Sequence, residues 1–169
     1  MKTVNTKAIC AAALLAASVA VSPVLADDTA AAYTMTVIRD AAHGSRIIKG
    51  DYDKAIERIT RAEFRYAGNF AGETNLCVAY TKSGELEKAE TACNAAVDVA
   101  NGMLRVKADL LADYTRKAYM TDLAIALSNR GVVYAAMGNT ELAEQDFRKA
   151  DDLGSSLSAP AINLARLAS

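Results

Sequence analysis

The sequence predicts an all-α fold assembled from repeated pairs of antiparallel helices. Two observations carry this. The first is a frame of small residues, glycine followed by alanine five positions on and a second alanine seven further. It occurs as Gly50/Ala55/Ala62, Gly84/Ala89/Ala96 and Gly138/Ala143/Ala150. Gly50 and Gly84 are 34 residues apart, and Gly84 and Gly138 are 54 apart, which is one more period plus 20 residues. A fixed period of this size marks a stack of supersecondary units. The second observation is helical spacing behind each glycine: Ala55, Ile59 and Ala62; Ala89, Cys93 and Ala96; Ala143, Phe147 and Ala150. Each trio makes one narrow face, small enough for two helices to approach closely.

The chain opens on a segment that does not belong to this pattern. Lys2 and Lys7 precede an uncharged Ala/Leu/Val-rich run from Ala8 to Val21, and Ser22-Pro23 break it. Val24 and Ala26 place small residues ahead of Asp27-Asp28. Residues 1–26 therefore read as a secretory signal, cut before Asp27. The run is too short to span a bilayer as a helix. Cys10 lies near its start, which does not suit a lipidation site. The expected destination is a bacterial periplasm, with secretion to the medium as the alternative. No later stretch is apolar enough to span a membrane, so the mature chain is expected to have no transmembrane segment.

The signal contributes two of the 19 basic residues and no acid, so the mature chain would carry 17 basic against 20 acidic residues. That balance does not suit a nucleic-acid binder, which needs a basic face. Nor does any run of Lys or Arg mark a membrane-surface site.

Within each unit the glycine can take the left-handed conformation that ends many helices. Asp51 or Asn139 follows it and can cap the next helix. The helices before the glycines also correspond. Tyr80 and Tyr134 each lie four residues ahead of their glycine, and Cys77 and Gly131 each lie seven ahead. The first unit has Arg46 and His43 at these places.

These residues together resemble the tetratricopeptide repeat family. The resemblance rests on Gly131, Tyr134, Gly138, Ala143, Phe147 and Ala150 in the last unit and on Leu76, Tyr80, Gly84, Ala89 and Ala96 in the middle one. In the first unit it rests on Gly50, Tyr52, Ala55 and Ala62. It implies a right-handed superhelical array, an α-solenoid, over residues 27–157, with units at about 36–69, 70–123 and 124–157. The 20 extra residues fall between Val97 and Ala124, where Leu104, Ala108, Leu111, Thr115 and Ala118 keep helical spacing. They are expected to lengthen the second helix of the middle unit or the first helix of the last unit, packing on their neighbours or forming a projecting arm or dimer contact. Residues 158–169, with Ser158 as a cap and Pro160 in the first turn, are expected to form a C-terminal capping helix.

In this family the first helix of each unit lines a concave groove that holds peptides. Carried onto this chain, the implied groove residues are Thr74, Asn75, Val78, Thr81 and Lys82, then Ser128, Asn129, Val132 and Ala135. Asn75 and Asn129 hold the same place in successive units, and an amide can pair with a backbone donor and acceptor together. Some relatives clamp a C-terminal carboxylate with Lys and Asn. Here Asp40, Gly44 and Ile125 stand at those places, so that mode is not expected.

Cys77 and Cys93 lie seven residues before and nine after Gly84. In an antiparallel pair both face the shared seam. Either a disulfide, permitted by an oxidising compartment, or two small buried thiols fits. Their separation does not suit a metal site. His43 is the only histidine, and no nucleophile elbow, phosphate loop or metal-ligand spacing appears. The reading is a non-enzymatic, cofactor-free scaffold for a protein or peptide partner. The alternatives are a self-associating envelope protein and an accessory subunit of an envelope enzyme or secretion machine.

Overall fold

The computed structural model describes residue 30 and residues 32–62, 66, 68–107 and 113–169. The expected signal, residues 1–26, lies outside the described residues. Among the described residues all regular structure is helical: α1 (Gly44–Ile48), α2 (Tyr52–Arg61), α3 (Phe70–Lys82), α4 (Leu86–Lys107), α5 (Asp113–Ala136), α6 (Thr140–Asp152) and α7 (Ala159–Leu167). The helices pack in pairs, α1 with α2, α3 with α4 and α5 with α6, while α7 closes on α6 and α5. The leading helices also touch in a row, α1 to α3, α3 to α5 and α5 to α7.

The turns inside the pairs follow from the repeat glycines. Gly50, Gly84 and Gly138 have φ of 81°, 76° and 80°, where a side chain is strained. The residue after each glycine donates its N–H back to a carbonyl five positions earlier: Asp51 to Arg46 at 3.0 Å, Glu85 to Tyr80 at 2.9 Å and Asn139 to Tyr134 at 2.7 Å. This is the closed C-terminal turn that a left-handed glycine makes possible.

The expected side-chain caps at Asp51, Asn139 and Ser158 do not form. Asp51 and Asn139 have ψ of 55° and 68°, and Ser158 is already in helical conformation. None has the extended backbone from which a cap oxygen reaches back to the first turn. Asp51 instead faces Arg46 at 3.7 Å. Asn69 does cap α3, accepting from the Gly72 N–H at 3.1 Å.

The extra residues lengthen both adjoining helices. The 22-residue α4 is nine longer than α6, and the 24-residue α5 is eleven longer than α3. At 1.5 Å per residue these are additions of about 14 and 16 Å. Near the lengthened part Val97, Ala100, Leu123 and Leu127 join Phe70 and Ala150 in one core cluster, with Val99, Met103 and Leu104 packed against it. At least the root of the extension is thus a wall of the core. In the last pair Phe147 is fully buried with Val132, Ala135 and Ala143.

The first unit departs from the expected 36–69 span. Its leading helix is only α1, five residues beginning at Gly44. Residues 34–38 are irregular and lie between one helical position at Ala32 and turns at Arg39-Asp40. The reason is local. Tyr33-Thr34-Met35-Thr36-Val37-Ile38 alternates and is rich in β-branched side chains, which favour extended backbone and lose rotamer freedom in a helix.

Candidate protein-binding groove

Residues 33–38 run across the row of leading helices, where one buried asparagine from each of α3, α5 and α7 holds the segment by its backbone. The Asn163 side-chain amide accepts from the Thr34 N–H and donates to the Thr34 carbonyl, both at 2.8 Å. Asn129 does the same to Thr36, again at 2.8 Å both ways. Asn75 accepts from the Ile38 N–H at 2.9 Å and donates to the Ile38 carbonyl at 3.0 Å. Its Nδ2 also reaches the Ala41 and Ala42 carbonyls at 2.9 and 3.1 Å.

The spacing of this ladder has a simple origin. In an extended chain the N–H and C=O of one residue point to the same edge, and that edge recurs every second residue. The amides therefore meet residues 34, 36 and 38. All three asparagines are at most 1% exposed, so each amide depends on the segment for its hydrogen bonds.

The segment's other residues add apolar contact. Tyr33 and Met35 pack against the Val132/Phe147 cluster, and the Tyr33 and Phe147 rings stack at 6.0 Å. Met35 also reaches the clusters around Val133 and Val78, and Val37 packs on the latter. Ile38 packs on the cluster that contains Phe70 and Leu127. The Arg166 guanidinium donates to the Ala32 carbonyl and to Thr34 Oγ1, and Lys82 Nζ donates to the Ala30 carbonyl at 3.2 Å.

Where the segment meets α1 it turns sharply. Ala42 and His43 both have positive φ, 42° and 59°, a region that non-glycine residues seldom occupy. Gly44 follows with helical backbone. A Cβ there would lie 2.0 Å from the Ile38 carbonyl oxygen and 3.0 Å from Asn75 Nδ2. A glycine at this place is what lets the segment lie flat on the helix. The His43 ring stands edge-on to Tyr66 at 6.0 Å, and Arg39, Asp40, Ser45 and Tyr66 line a shallow polar recess beside it.

The sequence-derived groove residues divide by role. Asn75 and Asn129 meet on one segment, which belongs to the chain itself. Val78 and Val132 form apolar floor beneath it, and Lys82 holds its start. Thr74 and Ser128 are buried, and their hydroxyls find no hydrogen-bond partner among the described residues. Thr81 donates to the Cys77 carbonyl at 2.6 Å inside α3. Ala135 is buried beside Phe147. Asn163 was not anticipated. The available signal was its spacing, because it follows Asn129 by 34 residues, one full repeat. The capping helix is thus placed as the leading helix of a further unit.

Two features brace the wall. A disulfide joins Cys77 on α3 to Cys93 on α4, which settles the choice left open by the sequence. Arg130 on α5 makes a two-pronged contact with Asp146 on α6, at 2.7 and 2.9 Å, and reaches Asn94 on α4 at 2.9 Å. The Asp146 hydrogen bond raises the Arg130 pKa above its ordinary value, so the guanidinium stays charged. Among the described residues no cluster of His, Cys, Asp and Glu could hold a metal ion. No helix there is long and apolar enough to cross a membrane.

Residues 124–153 match a tetratricopeptide repeat family model. No curated protein and no solved structure matches the chain. The matched stretch covers the body of the α5–α6 pair, and the pairs upstream repeat its glycine turn and small-residue seam. Residues 124–153 are thus similar to a tetratricopeptide repeat, and the packed helix pairs are consistent with a helical-repeat fold of that kind.

Proposed function

We propose that the protein is an exported, non-enzymatic scaffold that binds a segment of another protein. One observation carries the reading. The row of leading helices holds extended polypeptide through three buried amides that touch only backbone atoms. Such a surface is built to take a chain. Tetratricopeptide repeats imply protein partners in general, and the ladder supplies a concrete means of holding one.

Export is supported by the signal-like residues 1–26 and by the Cys77–Cys93 disulfide, a bond that persists in oxidising compartments. The destination we propose is a bacterial periplasm. Two measurements test the reading. The mass of protein recovered from the envelope should correspond to a chain beginning at Asp27. Affinity capture from the envelope fraction should recover a partner with the wild type and lose it with Asn75→Ala/Asn129→Ala. Recovery of the same partner at equal yield would exclude the groove as its site.

A further inference from the structure

We propose that residues 33–38 are a tethered occupant of the groove, and that they give way to an extended segment of a partner protein with apolar residues at every second position. The inference rests on the groove being the binding site proposed above, and it adds both the chemistry of the ligand and the control of access.

Three observations point the same way. First, the paired amide hydrogen bonds all run from side chains to the backbone of residues 34, 36 and 38. Among the described residues no helix contributes a backbone hydrogen bond to residues 33–38, so the segment can leave without opening a helix. The amides also touch nothing that distinguishes one sequence from another, so a different extended chain satisfies them equally. Residue preference then comes from the places of Tyr33, Met35 and Val37, where the floor is apolar.

Second, the segment is less deeply seated than the amides that hold it. Every residue from 33 to 38 is only half-buried, whereas the three asparagines are fully buried. The groove is therefore the fixed element and the segment the exchangeable one. A helix array with these amides uncovered would have strong reason to bind another backbone.

Third, the attachment is strained. The elbow holds two consecutive non-glycine residues, Ala42 and His43, at positive φ. Such conformations persist when surrounding contacts impose them, and release of the segment relieves them. Against release stands the tether, since a covalently attached segment competes at a millimolar-scale effective concentration. A partner must therefore outcompete it, and the groove stays closed to weak or poorly matched chains.

The test uses the mature chain and a fluorescently labelled synthetic peptide spanning residues 30–40. Thr36→Pro removes the N–H that Asn129 accepts and leaves every groove residue unchanged. The peptide should bind Thr36→Pro at least tenfold more tightly than the wild type. Adding Asn129→Ala should abolish that binding. Equal affinity for wild type and Thr36→Pro would overturn the gating while leaving the groove as a binding site. No binding to either would overturn both. Amide hydrogen exchange on the wild type covers the case in which Thr36→Pro does not fold. Exchange at Thr34, Thr36 and Ile38 faster than in the core of α5 supports exchange of the segment, and exchange only together with the helices overturns it. A wild-type dimer whose segments cross-link between copies would assign the groove to a second copy and overturn the partner named here.

Discussion

The side-chain amide of Asn129 holds both the N–H and the C=O of Thr36, 93 residues away in sequence, at 2.8 Å each. The pair sits at the centre of the ladder, so its loss leaves two backbone groups of the segment without partners. Leaving a buried polar group unsatisfied costs roughly 1–3 kcal/mol. Thr36 is only half-buried and its freed groups can turn to water, so Asn129→Ala should lower unfolding stability by about 1 kcal/mol, the lower end of that range, in a urea titration. Asn129→Asp should be at least as damaging, because a carboxylate cannot donate to the Thr36 carbonyl. A midpoint unchanged by either substitution would contradict the ladder.

How much of this was legible in the sequence depends on which residue is considered. Asn75 and Asn129 were visible because each lies nine residues ahead of a repeat glycine. Asn163 has no glycine after it, so its register was hidden from a reading anchored on glycines. What held the amides was also hidden. The 34-residue period starts the first unit at about residue 36, but the period competes with the local pattern. In Tyr33–Ile38 the alternation and the β-branched Thr34, Thr36, Val37 and Ile38 prevail. Helical spacing through the extra residues points to a lengthened α4 or α5, and the structure divides the added length between both.

The seam of the last unit predicts its own mutational response. A Cβ at Gly131 would lie 2.6 Å from Phe147 Cε1 and 3.2 Å from the Ala143 carbonyl oxygen. Phe147 is fully buried and cannot swing away. Gly131→Ala should destabilise by about 1–3 kcal/mol, and Ala143→Leu by a similar amount from the other side of the seam. The gain in helix propensity at position 131 offsets no more than about 1 kcal/mol of this. Equal melting temperatures for Gly131→Ala and wild type would refute the close approach.

The disulfide predicts a chemical signature and a stability. Under denaturing, non-reducing conditions Cys77 and Cys93 should resist alkylation, and the mature chain should weigh two hydrogens less than the dithiol. Closing a loop over a separation of 16 residues stabilises by about 3 kcal/mol on the chain-entropy account. Cys77→Ala/Cys93→Ala should lower stability by up to that amount. Complete alkylation without a reductant would rule out the bond.

Arg130 and Asp146 form a pair in which the carboxylate side chain is 4% exposed and the guanidinium 20%. Removing one member leaves a largely buried charge unpaired, which costs about 3–5 kcal/mol when burial is complete. Arg130→Leu should therefore destabilise strongly. Arg130→Leu/Asp146→Leu should destabilise less than the sum of the single substitutions, because the double variant strands no charge. The Asn94 contact to Arg130 ties α4 into the same network, so Asn94→Ala should show coupling to Arg130→Leu. Strict additivity would mean that the pair contributes nothing beyond its separate contacts.

Asp122 supplies a dependence on pH of opposite sign to that of a paired carboxylate. It lies half-buried in the lengthened part of α5, and burial raises its pKa above the ordinary carboxylate value. The folded chain then holds a proton on this group more tightly than the unfolded chain does. Its contribution favours folding at low pH and is lost as pH rises through the folded-state value, where the ionised form is penalised. Asp122→Asn removes that penalty. The substitution should raise the melting temperature at pH 7 and should give no gain below about pH 3, where the carboxyl is protonated in both states. A gain of equal size at both pH values would trace the effect to packing or helix propensity rather than to charge.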